Sequence, residues 1–280
     1  MNFEISTVER EILDYFYINK ISENEALNFI KKFNWFNEPI LKNYKEQLYI
    51  YKLQKFIEDD DIENVISLLN EKELNIDLSW SVEFAFDNIE IVKLLLEDER
   101  VDPSYDDDYL IKTASDLGLD EVVILFLKDD RINPAAGKNY PLRVAIQKNH
   151  IEIVKLLLND KRVSPIILGN NAISVACNFK RTEIVKILLE DERVDPSVAN
   201  NYSFQISSEY EDLDTLKLLL TDNRVNPACS SNFALKTAYR RKNTEMIQVL
   251  WKSKKVRNEI FNENIEIYNK INTLYNVDIF

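Results

Sequence analysis

The chain has 280 residues, of which 45% are hydrophobic and 30% are charged, a composition typical of a folded globular protein. Its formal net charge of −13 argues against nucleic acid as the main partner. Only three glycines occur, and no two of them are close enough to form a phosphate-binding loop, which excludes the nucleotide-binding motifs.

The first 57 residues do not follow the 31-residue repeat of the rest of the chain, and we predict three helices in them. Residues 8–17 are amphipathic, and residues 22–25 form a capping box that starts a second helix. Pro39 opens a longer helix that ends near Ile57. We therefore expect residues 1–42 to form an N-terminal helical module that caps the first repeat.

From about residue 60 the sequence repeats with a constant step. Prolines occur every 31 residues, at Pro103, Pro134, Pro165, Pro196 and Pro227. An aspartate and an arginine precede each proline at constant distances: Asp98 and Arg100, Asp129 and Arg131, Asp160 and Arg162, Asp191 and Arg193, Asp222 and Arg224. A period of roughly 20–50 residues predicts an array in which each repeat contacts only its neighbours.

Each repeat is predicted to contain an inner and an outer helix. The inner helix follows a residue that we expect to cap its first turn: Asp108, Asn139, Asn170, Asn201 and Asn232. A small residue six positions later lets the outer helix approach closely: Ala114, Ala145, Ala176, Ser207 and Ala238. The outer helix begins with an acid, which suits the helix dipole, and carries a leucine-rich run that the next repeat must cover.

The array is predicted to span residues 43–257, in about seven repeats of which the first and the last are atypical. The connection that leads into the inner helix is shortened in the first repeat, and Asn258 replaces the proline in the last. We predict one more helix from Glu259 to Tyr275, so that residues 258–280 form a C-terminal capping helix.

The repeats resemble ankyrin repeats over roughly residues 60–257. The segment YPLRVA at residues 140–145 is similar to the family's T-P-L-H-x-A, and NHIEIVKLLL at residues 149–158 resembles its G-H-x-E-V-V-K-L-L-L. The resemblance implies an all-α fold, an ankyrin-type α-solenoid of stacked helix pairs with short finger loops and an N-terminal helical cap. It also implies protein binding on a concave face formed by the fingers and the inner helices, in a family whose members mostly lack catalysis. The 31-residue repeats, with their LLLEDERVDPS-type turns, resemble a variant abundant in large DNA viruses of protists.

The fingers and the ends of the inner helices differ between repeats, as a recognition surface requires. Aromatic and arginine side chains are the usual energetic anchors of an interface. We therefore predict a partner-binding face formed by Ile166, Ile167, Leu168, Phe179, Tyr210, Arg240 and Arg241. The three aliphatic residues either pack on neighbouring fingers or form an exposed contact patch.

The residues that recur in every repeat are predicted to be structural. These are the Asp-x-Arg pairs, the prolines and the small residues Ala114, Ala145, Ala176 and Ala238. Five copies of the Asp-x-Arg pair favour a bond from the arginine of one repeat to the aspartate of the next. The alternative is a row of arginines that binds an acidic partner.

Neither a catalytic site nor a cofactor is expected. His150 is the only histidine and lacks the partners of a metal site or a triad, so we predict a hydrogen bond in a turn. Cys177 and Cys229 fit no metal or disulfide pattern and are expected to be reduced thiols. Residues 97–108 contain seven acids and one arginine, and the last repeat is basic; these ends are either solvated or docking zones.

We predict a non-enzymatic, monomeric scaffold that binds a protein partner in its groove and does not bind nucleic acid or membranes. Without a signal peptide or a run of about 18 apolar residues, a cytoplasmic location is expected, in the host cell if the protein is viral. The alternative is a substrate adaptor for a ubiquitin ligase, because residues 8–16 and 29–35 resemble an F-box, which would make residues 1–57 a recruiting module.

Overall fold

A computed structural model describes residue 25 and residues 38–72, 75–167 and 170–275. These residues divide into two compact units, of which the first ends at Tyr105 and the second begins at Asp106. The predicted domain limits at residues 42 and 257 each fall inside a helix and stay predictions. The helix predicted at residues 8–17 lies outside the described residues, as does the capping box except for Glu25, which is helical.

The first unit contains four helices among its described residues: α1 (Glu38–Glu58), α2 (Ile62–Leu69), α3 (Ser81–Phe84) and α4 (Ile89–Glu97). Helix α1 packs on α2 and α3, and α4 packs on the same two helices. The predicted long helix that begins near Pro39 is confirmed. Helix α3 has only four residues, fewer than the inner helices of the later repeats.

The second unit continues the helix pairs. Its helices are α5 (Tyr105–Leu117), α6 (Asp120–Lys128), α7 (Ala136–Lys148), α8 (Ile151–Asn159), α9 (Ala172–Asn178), α10 (Thr182–Glu190), α11 (Val198–Glu209), α12 (Leu213–Leu219), α13 (Cys229–Arg241), α14 (Thr244–Trp251), α15 (Lys254–Glu263) and α16 (Ile265–Leu274). A hairpin of two-residue strands, β1 (Ile166–Ile167) and β2 (Asn170–Asn171), precedes α9.

Inner helices α7, α9, α11 and α13 each pack on the inner helix of the next repeat and on the outer helix of their own repeat. Outer helices α6, α8, α10 and α12 also pack on one another in chain order. The predicted small residues lie where these helices meet, since Ala114, Ala145, Ala176 and Ser207 have no solvent exposure. The all-α repeat fold predicted from the sequence is confirmed.

Most finger loops contain one turn of left-handed backbone just before the inner helix. In α11 the residues Ala199, Asn200 and Asn201 have φ of 51°, 56° and 59°. Equivalent residues in three other repeats have the same conformation: 106–108, 137–139 and 230–232. This conformation is costly for residues with a Cβ, so neighbouring contacts must hold it in place.

In three repeats the Asp or Asn at the end of this turn joins neighbouring repeats, whereas the sequence predicted that it caps its own helix. The Asn201 side-chain oxygen accepts the backbone N–H of Asn226 at 2.8 Å, and that of Asn139 accepts the N–H of Ser164 at 3.3 Å. Asp108 accepts the N–H of Asn133 in the same way. In these three repeats the side chain is bonded to the backbone of the next finger.

The prediction of a single C-terminal capping helix over residues 258–280 is wrong. Helix α15 begins at Lys254 and ends at Glu263, and Asn264 separates it from α16. The Asn264 side chain accepts the backbone N–H of Ile267, so it caps the first turn of a new helix. The break lets Tyr268 pack beside Trp251, with their ring centroids 5.3 Å apart.

Candidate functional site

The end of each inner helix presents one side chain at the corner where the chain turns into the outer helix. We call these residues the corner row: Leu117, Lys148, Phe179, Tyr210 and Arg241. All five are exposed, and Phe179 and Tyr210 keep 44% and 42% of their surface in contact with solvent. Three of the predicted partner-binding residues therefore share one position in consecutive repeats.

Hydrogen bonds join neighbouring corners and hold part of the corner row in place. The Lys180 ammonium donates to the Tyr210 carbonyl oxygen at 2.9 Å and lies 5.8 Å from the centre of the Tyr210 ring. The Arg241 guanidinium donates to the Glu209 carbonyl oxygen. Arg240 donates instead along its own helix to the Thr237 hydroxyl, at 3.2 Å. Phe179, Tyr210 and Arg241 therefore lie on adjoining corners.

The predicted finger residues lie at the other end of α9 from Phe179. Ile166 is in strand β1 with 60% of its surface exposed, and its carbonyl oxygen accepts a hydrogen bond from the Asn139 side chain at 3.1 Å. Leu168 lies outside the described residues, and for Ile167 only the backbone is described. With a rise of about 1.5 Å per residue, α9 separates Ile166 from the corner row by at least about 10 Å. Ile166 and Phe179 do not form one patch.

Between the fingers and the corners, the inner helices present an aromatic row that the sequence prediction missed. It consists of Tyr109, Tyr140, Tyr202 and Phe233, each one residue after a buried Asp or Asn. Tyr202 has 37% of its surface exposed, and the other three are half-buried. Their spacing of 31 residues was a signal in the sequence, but it was hidden because Asn171 interrupts the row.

One cation lies directly against this row. The guanidinium of Arg143 lies 4.8 Å from the centre of the Tyr140 ring, one helical turn along α7. Arg143 has no hydrogen bond or ion pair with any residue that the structure describes, and its Nε atom is buried without a partner. The exposed side chains of the inner helices thus combine aromatic rings with an unpaired positive charge. We call this surface the inner-helix face.

The Asp-x-Arg pairs form within one repeat, so the predicted bond from arginine to the aspartate of the next repeat is wrong. Arg162 donates from Nε and Nη2 to the Asp160 carboxylate, with Nη2 at 2.6 Å from Oδ2. Its Nη1 donates to the Ile132 carbonyl oxygen at 3.0 Å, and Nη2 also donates to that of Leu127 at 2.9 Å. The link between repeats is therefore made by arginine and backbone carbonyls.

The same geometry recurs along the array. Arg193 and Arg224 donate to the carbonyl oxygens of Val163 and Val194 in the preceding repeat, at 3.0 and 2.9 Å. In the first unit, Arg100 donates to the Leu69 carbonyl oxygen at 2.9 Å. The prolines that follow the pairs are buried: Pro103, Pro134, Pro165, Pro196 and Pro227.

The hydrogen bonds from these arginines keep the aspartates ionised. Donation from the Arg162 guanidinium holds the pKa of Asp160 below its ordinary value, although partial burial opposes the effect. The pKa values of Asp129, Asp191 and Asp222 are lowered by the same cause. For Asp98, burial is the largest single influence on the pKa and raises it. Hydrogen bonds from Arg100 and Lys72 together outweigh burial and hold the pKa far below the usual range.

His150 lies at a helix–turn–helix corner and joins two repeats. Its Nε2 atom is 3.0 Å from the carbonyl oxygen of Asp116 in the preceding repeat. The imidazole covers Gly118, where an added Cβ would lie 2.6 Å from His150 Cε1. In the next repeat Arg181 occupies the position of His150 and donates to the Gln147 carbonyl oxygen at 2.6 Å. The predicted turn hydrogen bond is present, and it links repeats.

Both cysteines are buried. Burial raises the pKa of Cys177 to about 12 and that of Cys229 to about 11, so both thiols are protonated at neutral pH. Among the described residues, no group of His, Cys, Asp and Glu side chains could hold a metal ion. In the same part of the chain, every helix is too short or too polar to span a membrane.

Comparison with known protein families agrees with this architecture. Residues 110–200 match the family model of ankyrin repeats in 3 copies, which covers most of α5 to the start of α11. No curated protein matches the chain. The viral resemblance, the cytoplasmic location and the predicted monomer stay predictions.

Proposed function

Because the chain is an ankyrin-repeat protein, and ankyrin repeats are generally non-enzymatic protein-interaction modules, we propose that it is a scaffold that binds one protein partner on the inner-helix face and the corner row. The proposed surface keeps the partner-binding residues predicted from the sequence. The finger residue Ile166 lies at the edge of this surface that is opposite the corner row. The outer helices use their apolar side chains in the contacts between repeats.

The observation that carries the proposal is the pair of exposed aromatic side chains at adjoining corners. Phe179 and Tyr210 remain nearly half exposed although helices pack on both sides of them. Exposed aromatic residues on a rigid support lose little conformational entropy on binding and bury a large area. Because the residue at this position differs between repeats, each corner can make a different contact with the partner.

The test begins with proximity labelling to identify a partner, followed by binding assays with two double variants. Phe179→Ala with Tyr210→Ala should weaken binding by about tenfold or more, since truncation of interface anchors typically costs over 1 kcal/mol. Lys155→Glu with Lys186→Glu changes exposed residues of outer helices and should leave the affinity within about twofold. Loss of binding in the lysine pair alone would contradict the proposal.

Thermal unfolding of both double variants provides the control for folding. Phe179 and Tyr210 are exposed, so their truncation should change stability by less than about 1 kcal/mol. The adaptor alternative depends on residues 1–57, most of which lie outside the described residues, and stays a prediction. Recovery of a ubiquitin-ligase core subunit as the partner, lost on removal of residues 1–37, would favour it.

A further inference from the structure

The charge of the inner-helix face is arranged in blocks. Between residues 135 and 150 the sequence contains Lys138, Arg143 and Lys148 and no acid, and residues 172–181, from the start of α9, contain Lys180 and Arg181 and no acid. This stretch of two neighbouring repeats is basic in a chain of net charge −13. We call it the basic block.

Acidic residues bound the basic block on both sides along the array. Before it, α5 contributes Asp106, Asp107 and Asp116. After it, the corner of α11 contributes Glu209 and Glu211. Neighbouring inner helices lie about 8–10 Å apart, so the block extends over roughly 20 Å, which corresponds to about six residues of extended chain. A long polyanion would meet repulsion at both ends.

Three lysines on the inner helices already have carboxylate partners, whereas Arg143 has none among the described residues. Lys112 pairs with Asp107 at 2.5 Å, Lys236 with Glu263 at 3.0 Å, and Lys148 lies 3.7 Å from Asp116. The contact of Arg143 with the Tyr140 ring leaves its guanidinium donors without hydrogen-bond partners among the described residues. A planar guanidinium held against a ring is oriented to bind a carboxylate through two hydrogen bonds.

We propose that the basic block binds a short acidic segment of a partner protein in extended conformation, with a carboxylate on Arg143 and apolar side chains against Tyr140 and Tyr202. This inference rests on the proposed function and specifies the chemistry of the partner. Charge complementarity selects an acidic peptide, and the acidic flanks limit its length. Tyr140 supplies apolar area directly beside the ion pair, and Tyr202 supplies more, two repeats along the array, just beyond the basic block.

The inference can be tested before the partner is identified, by selecting peptides that bind the full-length chain from a displayed random library. The peptides are roughly 12 residues long, so that an extended peptide is longer than the basic block. We expect the enriched peptides to share two or more acids next to an apolar residue. Binding of a fluorescein-labelled enriched peptide should weaken as salt rises from about 0.05 to 0.5 M, because screening weakens exposed ion pairs. Absence of enriched peptides, or enrichment of peptides without acids, would overturn the inference.

Three variants locate the peptide. Arg143→Ala should raise Kd at least about tenfold, and Arg143→Lys should restore only part of the affinity because an ammonium lacks the planar pair of donors. Lys155→Ala, on outer helix α8, should leave Kd within about twofold. Equal affinity of wild type and Arg143→Ala for the peptide would overturn the inference.

Two other occupants are distinguished in the same assay. One is a labelled single-stranded oligonucleotide, and the other is a second copy of the chain, detected by sedimentation. If either of them bound in a way that depended on Arg143, it would be the assigned ligand of the basic block instead of an acidic peptide. A partner whose binding is lost in Phe179→Ala with Tyr210→Ala, but not in Arg143→Ala, would preserve the proposed function while overturning this inference.

Discussion

At the scale of single residues, small side chains decide how closely the helices of one repeat approach. Ala145 has no solvent exposure and lies on α7, which packs on both α8 and α9. Any larger side chain at this position must displace one of these helices, because protein interiors are close-packed.

Ala145→Leu should therefore lower the free energy of unfolding by about 1–3 kcal/mol. The measurement is urea denaturation followed by circular dichroism. Lys148→Leu, at an exposed position of the same helix, is the matched control and should change the free energy by less than about 0.5 kcal/mol. Equal stability of the Ala145→Leu variant and wild type would mean that α7 and α8 can separate at no cost.

Arg162 joins two repeats through carbonyl oxygens, so its role should be visible in stability. Arg162→Ala removes the donors to Ile132 and Leu127 and leaves Asp160 with its backbone bond, and we expect a loss of about 1–2 kcal/mol. Lys161→Ala, in the same turn and exposed, is the control. Affinity for an identified partner should not change. Unchanged stability together with lost binding would instead assign the arginines to recognition.

At the scale of elements, the fingers are the least regular part of a regular array. Four of them contain three consecutive residues with positive φ, whereas in another finger Ile166–Ile167 pairs with Asn170–Asn171 in an antiparallel ladder. Gly137 and Ala199 occupy the same position in two of the left-handed turns, with φ of 57° and 51°. Glycine adopts this conformation without the steric cost that alanine meets.

The two positions therefore allow reciprocal substitutions. Ala199→Gly should raise the free energy of unfolding by roughly 0.5–1 kcal/mol, because relief of steric cost exceeds the added entropy of the unfolded chain. Gly137→Ala should lower it by about 1–2 kcal/mol, since the added Cβ also lies 3.2 Å from atoms of Lys112 and Tyr140. Denaturation of both variants in parallel is the measurement. A change of the same sign in both would show that backbone conformation does not determine stability here.

Much of this architecture could be predicted because the proline register fixes where helices begin and end. The left-handed turns could not be, since Lys138, Ala199 and Ser230 are not residues that favour positive φ. The same holds for the partners of Asn201 and Arg162, because a sequence shows which residues recur but not which neighbour each one reaches. For the candidate site, the corner row could be predicted from its variation, whereas the contact of Arg143 with Tyr140 required coordinates.

At the scale of the whole molecule, ionised aspartates recur along both compact units. The pKa values of Asp98, Asp129, Asp160, Asp191 and Asp222 all lie below the ordinary value because an arginine two residues on donates to each carboxylate. Unfolding releases these contacts and returns each pKa to about 3.9. Since the folded state then binds fewer protons than the unfolded state near that pH, acid must favour unfolding.

The free energy of unfolding should therefore be constant with respect to these groups above about pH 5 and should fall as the pH drops through about 4 toward the lowered folded-state values. Asp160→Asn removes one titrating group, so the stability difference between wild type and this variant should narrow as the pH falls from about 6 to 3. Lys161→Ala, which removes no group that titrates in this range, should keep a constant difference from wild type. Urea denaturation at each pH measures all three proteins. A difference for Asp160→Asn that stays constant or widens at low pH would mean that Arg162 does not stabilise the ionised carboxylate in the folded chain.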